Sequence, residues 1–434
     1  MRSSGVQPEE ASMKRVALWS GMIALCTSLT LVAGCVEKKV DDGKATEAKP
    51  DAAIEQAKQV RPVLKASEDD CVGPLNKTGK PREIAFGESK FQLDGYLLTQ
   101  LNKDPDDEIV VGIISDTKEN TEDNKKNLEQ ILEFFEREKV QAIIHLGDIA
   151  SITPLPEEID VPEKDDQGKA LTEEDKERFR RRTINKARRE TMKESYDDIV
   201  DMVSMLAEKE LPLLVLSGNR ECKSIFNSAL DTVTEDFPNA INMNLVRRVA
   251  LDDLTVISMP GYHDPEYVHC PWDKCIYFES DTLALLDLTK ESKAPVLVIS
   301  HGPPRQQDRN GIDAVSEGAN VGNPALADAI RKAGIQFGAF GNIQEAGGKA
   351  TNLEGTTILH QDTFVQSLFL NPGPADSMAW SMNDGTESRG MAAVLSFVGT
   401  KAKYKVFRLG EDTKKAADKP EDKPADKPAD KPVP

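Results

Sequence analysis

Five polar clusters end apolar runs along the chain: "SDTK" at 115–118, "HLGD" at 145–148, "SGNRE" at 217–221, "SHGPP" at 300–304 and "GNIQEAGG" at 341–348. Carboxylate, carboxamide and imidazole side chains are the groups that hold divalent ions. An aspartate at the tip of a buried strand, as Asp116 would be, is a common metal ligand, and its expected companion two residues later is a histidine. That place holds Lys118. A single Gly-Asp or Gly-Asn pair carries little information. Five clusters carry more, because loops distant in sequence can converge at one edge of a sheet.

Convergence needs strands to position the clusters. The runs at 109–115, 142–146, 213–216, 254–259, 296–299 and 337–340 have strand length and apolar character, and helical stretches such as 124–138 and 281–287 separate several of them. This alternation predicts an α/β domain that binds ligands at the carboxyl ends of its strands. The later runs 356–360, 391–398 and 403–409 are β-rich and are expected to close a second sheet. Residues 154–195 interrupt the pattern, acidic first and then strongly basic from Arg178 to Arg189. Spacing such as Glu174 to Arg178 suits a solvent-exposed helix. Its position just after a site loop also allows a basic lid over an anion site.

In order and spacing, over residues 105–410, the clusters resemble the calcineurin-like metallophosphoesterases. That family reads Asp-x-His, Gly-Asp, Gly-Asn-His-Glu or Asp, a lone His and Gly-His-x-His along an α/β/β/α sandwich. "LNPGPAD" at 370–376, followed by "MAAVLSF" at 391–397, looks like its closing Asn-Pro-Gly segment and final strands. The resemblance implies two metals ~3.5–4 Å apart, bridged by a carboxylate and a hydroxide that attacks phosphorus in line. It implies Asp148 as the bridging carboxylate, Asp116 as a ligand of the first metal, and Asn219 and His301 as ligands of the second. Lys118, Asn342 and Gln344 stand at positions where the family has histidine ligands, and Arg220 stands where its motif histidine helps the leaving group. Every departure removes an imidazole. His145, His263 and His360 are expected to be structural.

Charge determines what these departures mean. A lysine ammonium ~4 Å from a dication, at an effective dielectric of ~20, is repelled by about 8 kcal/mol. The first metal position is therefore expected to be empty of metal and the dinuclear centre absent. The second position keeps Asp148, Asn219 and His301, with Asn342 able to add a carbonyl oxygen, which suits weak binding of one Mn, Mg or Ca ion. Arg220 cannot donate a proton near neutral pH, but its fork can hold phosphate or carboxylate. Two readings follow. One is a protein that binds an anion or partner, or is structural, with Asp116 and Asp148 serving as salt-bridge partners of Lys118 and Arg220. The other is a phosphomonoesterase or phosphodiesterase working with one metal or an altered site.

The ends of the chain speak to location. From Met13, "MKRVALWSGMIALCTSLTLVAGC" has the charged, apolar and small-residue regions of a secretory signal and ends like a bacterial lipobox, implying cleavage before Cys35 and its acylation. Val36 in place of an aspartate points to an outer membrane if the organism has one. Residues 35–70 read as a flexible tether, 71–410 as the domain, and 411–434, with its "ADKPEDKP" repeats, as a disordered tail. Net charge is −19, and losing residues 1–34 removes three basic and two acidic side chains to leave −20. That excess disfavours nucleic acid, and lipid chains at Cys35 would make the membrane contact. Cys71, Cys222, Cys270 and Cys275 allow three pairings, and disulfides are the expectation in such a compartment. "HCPWDKC" with His263 could alternatively form part of a zinc site, although its spacing fits no usual structural pattern.

Overall fold

The computed structural model describes residues 71–156, 158–290 and 292–409. The leader with Cys35, the tether and the repeat tail lie outside the described residues. The elements are β1 Arg82–Phe86, β2 Ser89–Asp94, β3 Leu97–Gln100, β4 Glu108–Ile114, α1 Glu122–Arg137, β5 Ala142–His145, α2 Glu173–Ala207, β6 Leu213–Val215, α3 Lys223–Asp236, β7 Ala240–Asn242, β8 Arg248–Ala250 and β9 Thr255–Met259. There follow the short helices α4 Glu279–Thr282 and α5 Ala284–Leu288, then β10 Val296–Ser300, α6 Pro324–Ala333, β11 Phe337–Phe340, β12 Lys349–Thr351, β13 Leu368–Asn371, β14 Trp380–Ser381, β15 Glu387–Ser388, β16 Met391–Val398 and β17 Lys401–Arg408.

Two large sheets form, in the orders β17-β16-β4-β5-β6-β7 and β1-β2-β3-β8-β9-β10-β11-β13-β12. Side chains of adjacent strand residues point to opposite faces, so each strand feeds two apolar layers. In β6, Leu213 and Val215 pack with Leu128, Ile131 and Phe226 of the helices, whereas Leu214 joins the layer between the sheets. In β10, Leu297 and Ile299 enter that middle layer and Val298 packs outward on Leu326 and Ile330 of α6. Each fully buried side chain of this kind contributes about 1.5–3 kcal/mol. The outcome is the α/β/β/α sandwich.

Helix α1 starts where Thr121 accepts the amide of Asn124, and its apolar residues Leu128, Ile131, Leu132 and Phe135 recur at helical spacing. In α2, a capping box between Thr172 and Asp175 begins the helix, but its buried residues begin only at Thr191. The charged insertion is thus a solvated helix, with Arg178 3.0 Å from Glu174.

Three expectations need correction, and three strands were not anticipated. The strand pair β16–β17 joins the first sheet through β4 and does not close the second, which is built instead from β9, β10, β11 and β13. Residues 356–360 make only an isolated bridge, Ile358 to Thr351. The expected helix at 281–287 is two short helices meeting at Leu283. Strands β1–β3, in which polar residues interrupt the apolar ones, extend the second sheet through β8.

Candidate functional site

The parallel strands β4, β5 and β6 of one sheet and β10, β11 and β13 of the other end on the same side, and their following loops carry the five clusters. Asp116, Lys118, Asp148, Asn219, Arg220, His301, Asn342 and Gln344 all lie on these loops. Nearest donor atoms of Asp116, Asp148 and His301 lie within 4.8 Å of one another, and all three residues are buried. Close approach depends on small residues. A Cβ on Gly218 would strike the Asp148 carboxylate, and one on Gly341 would strike Ser115 and Asp116.

Four residues of the site adopt the left-handed backbone region: Asp116 at φ 58°, Lys118 at 63°, Asp148 at 56° and Asn342 at 63°. This is costly for residues with a Cβ, Lys most of all. Main-chain bonds hold the turns, from Asp116 N to Gly147 O (3.0 Å) and from Lys118 N to Asp148 O (2.9 Å).

Both carboxylates are heavily bonded. Asp116 accepts from Ser115 Oγ (2.6 Å), Asn342 N (3.1 Å) and Gln344 Nε2 (2.5 Å). Asp148 Oδ1 accepts from the amides of Asn219 and Arg220, each at 3.0 Å, and Oδ2 lies 3.3 Å from Arg220 Nε. Burial alone would raise the Asp148 carboxyl, but His301, Arg220 and Lys118 outweigh it and hold it below the usual carboxylate range.

Both ring nitrogens of His301 face oxygens. Nδ1 is 2.9 Å from Leu146 O, and Nε2 is 3.0 Å from Asn219 Oδ1 and 3.2 Å from Asp148 Oδ1. Burial pulls its pKa down, yet Asp148, Asp116 and Glu221 raise it to about 9. Both nitrogens then donate, as in an imidazolium. His145 is the opposite case. Burial and the charge on His301 hold it near 3, and its Nδ1 accepts the Gly147 amide at 3.2 Å. Buried Glu221, next to Asp148, is raised to about 7 and accepts the amides of Ile149 and Gly218.

Lys118 is enclosed. Its Nζ lies 3.3 Å from Asp376 Oδ2, 4.0 Å from Asp116 Oδ1 and 4.0 Å from the centre of the Trp380 ring. The Asp376 contact is one of charge, lacking hydrogen-bond geometry. Asp376 is further held by Trp380 Nε1 at 2.7 Å. The expected pairing of Lys118 with Asp116 is therefore secondary, and the nearer partner is an aspartate in the "LNPGPAD" segment to which sequence reading gave no role. Lys118 is buried and does not line the cleft that Arg220 borders. The arginine, by contrast, is about a third exposed, donates to Ser151 Oγ at 3.0 Å and lines a cleft of 280 Å³ with Ser151, Thr153, His269 and Glu119.

No side chain from Arg178 to Arg189 lines this cleft among the described residues. Arg188 instead stacks over Trp272, 4.6 Å from its ring centre. Disulfides join Cys71 to Cys275 and Cys222 to Cys270, which excludes the zinc reading. The second bridge fastens the Arg220 loop to the 263–276 loop, where His269 N also donates to Asn219 O at 2.8 Å. His263 sits beside Tyr262, and His360 is exposed at a separate 480 Å³ cavity.

The residues fit the two implied metals unequally. The first position does not fit, because a buried ammonium stands beside Asp116 and donors already occupy both its oxygens. The second keeps three atoms, Asp148 Oδ1, Asn219 Oδ1 and His301 Nε2, at separations of 3.0 and 3.2 Å where measured. Such a set could hold one hard ion if His301 gave up its proton. Beside this set, Asn342 Nδ2 donates to Tyr262 OH at 2.8 Å.

No protein-family model and no curated protein matches the sequence. Among solved structures, the chain is similar to a dimetal phosphatase from Danio rerio at 11% identity, covering 70% of this chain and 99% of that one with a TM-score of 0.36. It is similar to PhoD at 9% identity, covering 74% and 75% with a TM-score of 0.37. It is also similar to the purple acid phosphatase PPD1 of yellow lupin seeds at 8%, covering 73% and 56% with a TM-score of 0.37. Likenesses this distant say nothing of chemistry, which the site itself must supply.

Proposed function

We propose that this chain is a cell-envelope lipoprotein, anchored through Cys35, whose phosphoesterase-type sandwich has exchanged a dinuclear centre for fixed side-chain cations. It binds an oxyanion or a partner at the Arg220 cleft in place of hydrolysing a phosphoester. The supporting observation is the balanced buried charge: Lys118, Arg220 and His301 face Asp116, Asp148 and Asp376 at 3.2–4.0 Å. Buried carboxylates must be paired or neutralised. Here the chain's own cations do so, and no bridging hydroxide has a place. Arg220 alone presents part of its guanidinium to solvent, beside the Ser151 and Thr153 hydroxyls, and a planar fork so placed suits phosphate or carboxylate.

The convergence of Asp148, Asn219 and His301 favours a second reading, a hydrolase using one Mn or Mg ion. The full-length protein separates the two. Aryl-phosphate and bis-aryl-phosphate hydrolysis is assayed with Mn, Ni or Mg, and inorganic phosphate is titrated by calorimetry into wild type and Arg220→Gln. The first reading expects no metal-dependent turnover and phosphate binding that Arg220→Gln removes. Turnover abolished by Asp148→Ala would establish the second.

A further inference from the structure

At the far end of β4, about 20 Å from the site for seven residues of strand, lies a second concentration of acid. The β3–β4 connection carries Asp104, Asp106 and Asp107, and the β8–β9 turn carries Asp252 and Asp253. Carboxylate oxygens of Asp104, Asp252 and Asp253 lie within 4.8 Å of one another. Leu251 and Leu254, buried on either side, together with a Leu251 N to Leu254 O bond of 2.9 Å, fix the turn and draw Asp252 inward. Asp252 is 5% exposed, and its Oδ1 accepts no hydrogen bond among the described residues. Asp253 Oδ2 is likewise buried without a donor. Among the described residues, Asp252 Oδ2 accepts only the Asp104 amide, at 3.0 Å.

A buried carboxylate oxygen without a donor or cation is costly. Lys103 relieves it only in part: its Nζ donates to the main-chain oxygens of Leu251 and Asp252, and its charge favours the Asp253 carboxylate without bonding to it. Three carboxylates against that one ammonium leave two negative charges, the complement of a divalent ion. The donors are all oxygen, which excludes a preference for zinc or copper. Asp104 is exposed, leaving room for water in an irregular shell of the kind calcium accepts and magnesium does not.

We propose that Asp104, Asp252 and Asp253 bind a hard divalent cation, calcium by preference, which clamps the connection between the two sheets to the β8–β9 turn. The ion is structural and separate from the Asp148 site. Thermal unfolding of the full-length chain in EDTA, in ~5 mM CaCl₂, above the about 10⁻⁴–10⁻³ M range of weak calcium modules, and in equal MgCl₂ tests this. Calcium should raise Tm by about 2 °C, magnesium by less than half as much. Asp148→Asn should keep the calcium response. Asp252→Asn and Asp104→Asn should lose it, and Asp252→Asn should melt higher than wild type in EDTA because it relieves repulsion. No calcium response in wild type, a response that survives Asp252→Asn and Asp104→Asn, or one lost in Asp148→Asn would overturn the assignment.

Discussion

Replacing Lys118 with methionine removes one ammonium and keeps most of the buried stem. Its Nζ is 3.3 Å from Asp376 Oδ2 and 4.0 Å from Asp116 Oδ1. At an effective dielectric of ~20, these contacts amount to about 5 and 4 kcal/mol of attraction, largely cancelled by the cost of burying the ion. Removal is a different matter, since two buried carboxylates lose their counter-charge while the desolvation remains. Breaking a buried pair in this way costs about 3–5 kcal/mol, and the lost contact with the Trp380 face adds to it. Urea unfolding of Lys118→Met should show a lowered midpoint at unchanged slope, equivalent to that loss. In a double-mutant cycle with Asp376→Asn, the double variant should lose less than the two singles together by about 2 kcal/mol or more. A loss below about 1 kcal/mol, or simple additivity, would refute the idea that Lys118 is the cation of this site.

The two buried histidines set opposite pH limbs. His301, raised to about 9, gives stability fully present below its unfolded pKa of about 6.5 and lost as pH rises through about 9. His145, held near 3, gives stability present above about 6.5 and lost as pH falls toward 3. In melts across pH, His301→Gln should flatten the alkaline limb and His145→Gln the acid limb; unchanged limbs would contradict these assignments. Removing the Cys222–Cys270 bridge, which spans 48 residues, with paired serines should cost about 2–4 kcal/mol. It should also weaken phosphate binding at Arg220, measured by calorimetry. Restoring Lys118→His, Arg220→His, Asn342→His and Gln344→His together should confer metal binding and aryl-phosphate hydrolysis. A folded but metal-free quadruple variant would show that these residues do not occupy ligand positions.

The apolar runs ending in polar clusters made the strand ends and their convergence legible. Ile113, Ile144 and Leu214 are recognisable as buried strand residues from hydrophobicity alone, and Asp116 and Asp148 follow them within a few positions. Sheet membership was less legible. β16 reads as a strand, but nothing local says that it pairs with β4, a partner some 280 residues away. Asp376 escaped for the same reason, because its role depends on a lysine brought close only by folding. The strained turns at Asp116, Lys118, Asp148 and Asn342 left no glycine signature, since side-chain and main-chain bonds within the site hold them. Arg220 and Lys118 looked equivalent as charges. Burial divides them into one cation sealed in the core and one at the wall of a cleft.

Metal content of the full-length protein, purified without chelator and measured by elemental analysis, tests the central claim most directly. A chain whose Lys118, Arg220 and His301 already neutralise Asp116, Asp148 and Asp376 should carry no stoichiometric transition metal. Two tightly bound transition metals per chain, lost in Asp148→Asn, would contradict it.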